Sequence, residues 1–168
     1  MSLRHAVLGL LAVQPTTGYD LAQKFDVSMA NAWYASHSQI YPELARLHDE
    51  GMVEVVGEGP RRSRTWGVTD GGRDELRRWM LETEPVRTQR SETGVRWFVM
   101  ALLEPADRRA ALERELAFAG AEADRLREIA ARVDALPGPH PFRGTLDLGL
   151  RVNAVMTDWL REQLAAAS

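Results

Sequence analysis

The chain has 168 residues, 45% hydrophobic and 27% charged, the balance of a soluble globular protein with one large domain or two small ones. It has no cysteine, which excludes disulfides, thiolate catalysis and cysteine-ligated metal, and fits a reducing compartment. The net charge of −3 weighs against a broad nucleic-acid-binding surface; the first 85 residues hold 9 basic and 12 acidic side chains and the remainder 12 of each, so any such contact must rest on a local cluster.

The opening segment MSLRHAVLGLLAVQP places Leu3, Val7, Leu10 and Leu11 on one face of a short helix that Pro15 ends. Its apolar run is far shorter than the ~20 residues of a membrane helix and carries no small-residue cleavage site, so a cytoplasmic protein with no membrane contact is expected. Thr17 is placed to cap a second helix, GYDLAQKF, whose Leu21 and Phe25 face one way. A loop, DVSMANAWYA, leads to the stretch ASHSQIYPELARLHDEGMV.

There Ile40, Leu44 and Leu47 recur at the spacing of a core-facing helix. Pro42 lacks an amide hydrogen and belongs near a helix start, which puts the start close to Ser36 or Ser38. Ser36 and Gln39 have the spacing of a capping box, and Gly51 suits the left-handed turn that closes a helix. Two strand-like runs follow, Met52 to Val56 and Thr65 to Thr69, joined by GEGPRRSR, the signature of a hairpin with a long tip. Thr69 or Asp70 then caps a further helix with Leu76, Trp79 and Met80 as its buried side. Three helices, a hairpin and a helix predict a winged helix-turn-helix over residues 1–85.

The second half, residues 86–168, is expected to be wholly helical. Val95, Phe98, Val99 and Leu102 suggest a helix stopped by Pro105. Leu112, Leu116, Ala119, Ala123, Leu126, Ala130 and Val133 then alternate at intervals of four and three, the seam of a coiled-coil-like helix about 45 Å long. After PGPHP a last helix carries Leu146, Leu150, Asn153, Leu160 and Leu164 near one face, with Trp159 alongside. Leaving seven seam positions in water would cost on the order of 5–10 kcal/mol. A second helix of the same chain covers part, and another protomer is expected to cover the rest, with Leu112, Leu116, Leu126, Val133, Leu150 and Leu160 at the dimer interface.

Several side chains have the chemistry to meet DNA. Ser36, His37, Ser38 and Gln39 lie at the head of the third helix, where they reach the major groove or its phosphates, or else serve only as caps and solvated groups. Arg61, Arg62 and Arg64 form the basic cluster of the hairpin tip, suited to phosphates or a minor groove. Tyr19 can offer its hydroxyl to a phosphate; Tyr41 can do so or pack, and Trp66 is read as packing. No G-x-S-x-G, H-E-x-x-H or P-loop pattern occurs, and His5, His37, His48 and His140 show no ligand spacing. Neither catalysis, nor a metal, nor another cofactor is expected.

LGLL at Leu8 to Leu11, GYDL at Gly18 to Leu21, SQIYPELARL at Ser38 to Leu47, EGMV at Glu50 to Val53, VTDGG at Val68 to Gly72, and Trp79 stand in an order and spacing that resemble the PadR-like family of transcriptional regulators. GLRVNAVMTDWLREQL, Gly149 to Leu164, is similar to the closing helix of the longer, virulence-activator-like members. Trp66 departs from the family's usual tyrosine, and Asp70-Gly71-Gly72 varies the end of its signature. The resemblance implies a mostly α fold with a small β-hairpin wing and a C-terminal helical dimerisation domain. It further implies a homodimer on a pseudo-palindromic operator, usually as a repressor released by a small aromatic or cationic effector. On position, Trp97, Phe98, Met156 and Trp159 are the residues such an effector would meet. The competing readings are a winged module that binds protein rather than DNA, and a ligand-binding protein without DNA contact.

Overall fold

The computed structural model describes residues 3–28, 37–59, 63–86 and 91–166. Its elements run α1 (Leu3–Val13), β1 (Thr16–Thr17), α2 (Gly18–Ser28), α3 (His37–Asp49), β2 (Val53–Glu58), β3 (Arg64–Val68), α4 (Asp70–Glu82), α5 (Glu92–Val99), a 3-10 turn (Met100–Leu102), α6 (Pro105–Asp134) and α7 (Arg143–Ala166). The chain divides into two compact units, Met1–Gln89 and Arg90–Ser168.

In the first unit Val7, Leu8 and Leu11 of α1, Leu21 and Phe25 of α2, and Ile40, Leu44 and Leu47 of α3 form a buried core. Helical periodicity brings these residues to one face of each helix, and burying them drives the three together. Thr17 caps α2 as its position predicts: its Oγ1 accepts from the Asp20 amide at 3.1 Å and donates to Asp20 Oδ2 at 2.8 Å. The α2 helix also takes in Asp26 to Ser28, where a loop was expected; residues 29–36, with the rest of that loop and Ser36, lie outside the described residues. Pro42 sits in the second turn of α3, deeper than the sequence suggests, so that helix forgoes one amide bond.

The end of α3 is built from a few backbone bonds. Gly51 adopts a left-handed φ of 72°, its amide reaches His48 O at 2.9 Å, and the Met52 amide reaches Leu47 O at 2.8 Å. This paired closure satisfies the last carbonyls and turns the chain directly into β2. A register shift between Val55 and Gly57 marks a bulge in β2. The sheet has three strands in the order β1–β3–β2, not the two expected, because Thr16 and Thr17 pair with Trp66 and Thr65. Thr69 Oγ1 accepts from the Gly72 amide at 3.1 Å and donates to Gly51 O at 2.7 Å, so one hydroxyl caps α4 and ties it to the end of α3. Leu76 and Trp79 of α4 are half-buried, but Met80 is 66% exposed and does not join the core.

The second unit is helical throughout. The helical stretch expected to stop at Pro105 ends at Leu102, and Pro105 itself begins α6 at a position where its missing amide hydrogen costs nothing. The preceding apolar stripe folds as α5 and the 3-10 turn, with Met100 inward while Phe98 and Leu102 are 87% and 84% exposed. The α6 seam is filled by the same chain's α7. Leu112, Leu126 and Leu160 are buried within the protomer, and Leu116, Val133 and Leu150 are half-buried. Asn153 Nδ2 donates to Ala119 O at 3.1 Å across the two helices, and the bare Gly149 backbone lies against Leu126. These six residues, expected at a dimer interface, thus sit in or beside a core the protomer closes by itself. A 24-residue α7 is long enough to cover most of the seam.

Candidate nucleic-acid interface and C-terminal cavity

The face of α3 opposite Ile40, Leu44 and Leu47 carries Ser38, Gln39 and Tyr41, all exposed. His37 begins the helix, with its side chain outside the described residues. Tyr19, in the first turn of α2, is also exposed, and its hydroxyl accepts from Gln23 Nε2 at 2.9 Å. A glycine makes room for the second of these tyrosines at the start of α2. A Cβ at Gly18 would stand 2.8 Å from Tyr41 Cε1, so the Tyr41 ring lies directly on the start of α2. This explains why G-Y-D-L and Y-P-E-L occur as a pair: the first leaves the hollow that the second fills.

Arg64 opens β3, exposed, in register with Glu58 on β2. It is therefore a strand residue at the neck of the hairpin, not a tip residue; Arg61 and Arg62 lie outside the described residues. Most helix arginines are engaged locally, as in Arg46–Glu43 at 2.6 Å and Arg96–Glu92 at 2.7 Å. Such pairs solubilise a helix and cancel its field at a distance.

Two aromatic–histidine contacts brace this unit, and sequence patterning marks neither. His5 is buried between α1 and α4, stacked on Trp79 with ring centroids 4.3 Å apart, its Nε2 3.1 Å from Glu75 Oε1. Burial holds the His5 imidazole below its ordinary pKa, against the opposing pull of Glu75. Hydrogen bonds from Arg78 and His5 hold the Glu75 carboxyl low. On the other side, His48 meets the half-buried Trp66 edge to face at 5.2 Å.

In the second unit an open cavity of about 460 Å³ is lined by Trp97, Arg151, Val152, Val155, Met156 and Trp159. The two indoles lie 5.3 Å apart at 45°. The expected effector residues Trp97, Met156 and Trp159 converge there. Phe98 does not, because it follows Trp97 on α5 and lies some 100° round the helix. Val152 and Val155 were missed, although they stand four positions before Met156 and Trp159 respectively and continue the same stripe. Among the described residues no group of three His, Asp or Glu side chains could hold a metal ion, and no helix is long and apolar enough to cross a membrane.

A three-helix core, a sheet ending in a hairpin beside the third helix, and a polar outer face on that helix define a winged-helix protein joined to a helical C-terminal unit. The sequence profile of the transcriptional regulator PadR-like family matches residues 7–78, and that of the virulence activator alpha C-terminal domain matches residues 89–168. Between them they account for nearly the whole chain and bear out its resemblance to the PadR-like family. The negative transcriptional regulator PadR of Bacillus subtilis is 37% identical over 87 residues, 50% of this chain and 48% of that protein. The chain thus matches about half the length of that curated relative by sequence. In three dimensions the likeness is more extensive: B. subtilis PadR in complex with operator DNA superposes with a TM-score of 0.81 at 26% identity, covering 99% of each chain. The same protein in complex with p-coumaric acid gives 0.80 at 28%, covering 98% of this chain and 94% of that one.

Proposed function

We propose that this protein is a sequence-specific DNA-binding transcriptional repressor that works as a homodimer in the cytoplasm, without enzymatic activity, and is released from DNA by a small aromatic effector. The observation that carries the reading is the outer face of α3, where Ser38, Gln39 and Tyr41 stand exposed beside Tyr19 while the opposite face is buried. A helix anchored this way presents polar groups to a major groove, and two copies related by a twofold axis would read half-sites a helical turn or a multiple apart. The likeness over the whole chain to a relative solved on operator DNA supports it. Residues 1–85 would bind DNA and residues 86–168 would dimerise and hold the effector, with Arg61 and Arg62 on phosphates and Arg64 at the neck of the wing.

The cavity supports the effector half of the reading. Two indoles, a methionine and two valines suit a flat aromatic ring, and Arg151 favours a neutral or anionic ring over a cationic one. The p-coumaric acid complex of the relative is an aromatic acid of that kind. The experiment is a gel-shift titration of the full chain against the DNA upstream of its own gene, at low salt, with and without aromatic acids. A specific shift that the compounds weaken is expected. No shift with any upstream fragment refutes DNA recognition, and a shift indifferent to every compound that quenches Trp97 and Trp159 refutes effector release.

A further inference from the structure

The hairpin grows out of α3 with almost no intervening chain, so its direction is set at its base. The closing turn of α3, residues 50–52, is the pivot. From Val53 to Glu58 β2 spans six residues, about 20 Å at ~3.3 Å each. A tilt of about 10° at the pivot would carry the far end roughly 3.5 Å, more than a hydrogen-bond length. A basic tip can reach phosphates only if that angle is held.

Two contacts hold it from α3 itself, and one residue makes both. His48, in the last turn of α3, has its Nδ1 3.2 Å from Val53 O, the first carbonyl of β2. Its ring also meets Trp66 at 5.2 Å and 71°. Trp66 is the middle of the central strand, paired with Thr16 on one side and Val55 on the other. The histidine therefore grips the edge strand by its backbone and the central strand by its side chain, on the two sides of the pivot. It belongs to no core cluster and is itself exposed, so its removal leaves the buried apolar contacts intact.

We propose that His48 is a positioning residue that fixes the angle of the wing against α3 through Trp66 and the Val53 carbonyl, and so lets the tip arginines contact DNA phosphates. The proposal rests on the reading of this unit as DNA-binding. Its consequence is coupling: once the tip arginines are gone, nothing remains for His48 to position.

The test is a double-mutant cycle on the full chain, using a fluorescein-labelled random-sequence duplex titrated across a range of salt concentrations. Arg61→Ala with Arg62→Ala should flatten the slope of log K against log salt by about 0.9 for each phosphate no longer neutralised. His48→Ala should flatten it in the same direction, and the three substitutions together should flatten it no further than the arginine pair alone. His48→Gln, which keeps a donor but loses the ring, should fall between wild type and His48→Ala, and melting temperatures confirm that each variant is folded. An additive loss in the combined variant, or a slope unchanged by His48→Ala or by the arginine pair, overturns the proposal. Failure of the wild type to bind the duplex at low salt is a different result, which removes the DNA-binding reading along with it.

Discussion

Replacing Gly72 by alanine adds one carbon where the backbone leaves no room for it. The new Cβ would stand 2.2 Å from Met52 O and 2.7 Å from Val68 Cγ2. The carbonyl cannot retreat freely, because Met52 O accepts from the Thr69 amide at 3.1 Å and the Met52 amide is held by Leu47 O. Relief to an ordinary contact of 3.4 Å therefore requires α4 to move out by about 1 Å. That movement loosens the Thr69 hydroxyl, which bridges Gly72 N and Gly51 O. Overpacking costs about 1–3 kcal/mol and a missing cap about 1 kcal/mol, so the substitution should destabilise the unit by roughly 2–4 kcal/mol.

The neighbouring Gly71 supplies a control of opposite sign. A Cβ there would meet nothing nearer than Thr69 Oγ1 at 3.7 Å. Gly71→Ala should stabilise by roughly 0.4–1 kcal/mol, since it only restricts the unfolded chain. Urea titration and thermal melting followed by circular dichroism would separate the two. At about 4–8 °C per kcal/mol, Gly72→Ala should melt on the order of 10 °C lower and Gly71→Ala a few degrees higher. Equal stability of Gly72→Ala and wild type, or equal damage from both, would refute the packing argument.

Gly18→Ala should leave the fold nearly as stable, because the Tyr41 ring it displaces is exposed and can swing aside; DNA affinity in a gel shift should fall roughly fivefold, the worth of one hydrogen bond. Phe98→Glu with Leu102→Glu should convert a sedimenting dimer to a monomer with an unchanged far-ultraviolet spectrum; a persistent dimer would place the interface elsewhere. Acid should weaken the first unit in two stages. Folded His5 binds a proton less readily than unfolded His5, so its contribution is whole above 6.5 and is lost as the pH falls from there through the lowered folded value. The Glu75 contribution is whole above 4.5 and is lost below it. Urea midpoints across pH should show the upper stage in wild type and not in His5→Phe, which keeps a ring on Trp79 but cannot titrate.

What sequence patterning captures in this protein is local, and what it misses is a matter of partners. Leu21 with Phe25, and Ile40 with Leu44 and Leu47, announce their buried faces through spacing alone, and Thr17, Gly51 and Thr69 announce their turns through side-chain chemistry. The two-residue strand Thr16–Thr17 is too short to have a period and exists only because β3 offers it an edge. His5 and His48 look alike as isolated histidines. One is buried against Trp79 and Glu75, the other is laid on Trp66, and those partners are 70 to 74 and 18 residues away in sequence. Arg64 reads as a tip residue because the turn residues Gly57 and Gly59 mask how far the ladder continues.

The C-terminal unit shows how the same apolar spacing can serve two purposes. The α6 seam signals burial, but does not say by what; α7 of the same chain supplies the cover, with Leu112 and Leu160 almost wholly enclosed. A second apolar set remains exposed, Phe98 on α5, Leu102 in the 3-10 turn, and Val152 and Val155 on α7. Enclosing one such side chain is worth about 1.5–3 kcal/mol, so eight of them from two copies would contribute roughly 12–24 kcal/mol. Association costs about 4–15 kcal/mol. The surplus is favourable over most of that range for whichever of these side chains a second copy covers. Val152 and Val155 also line the cavity with Trp97 and Trp159. A partner that covered these valines would therefore also narrow the mouth of the cavity, so that ligand and partner would compete for the same two side chains.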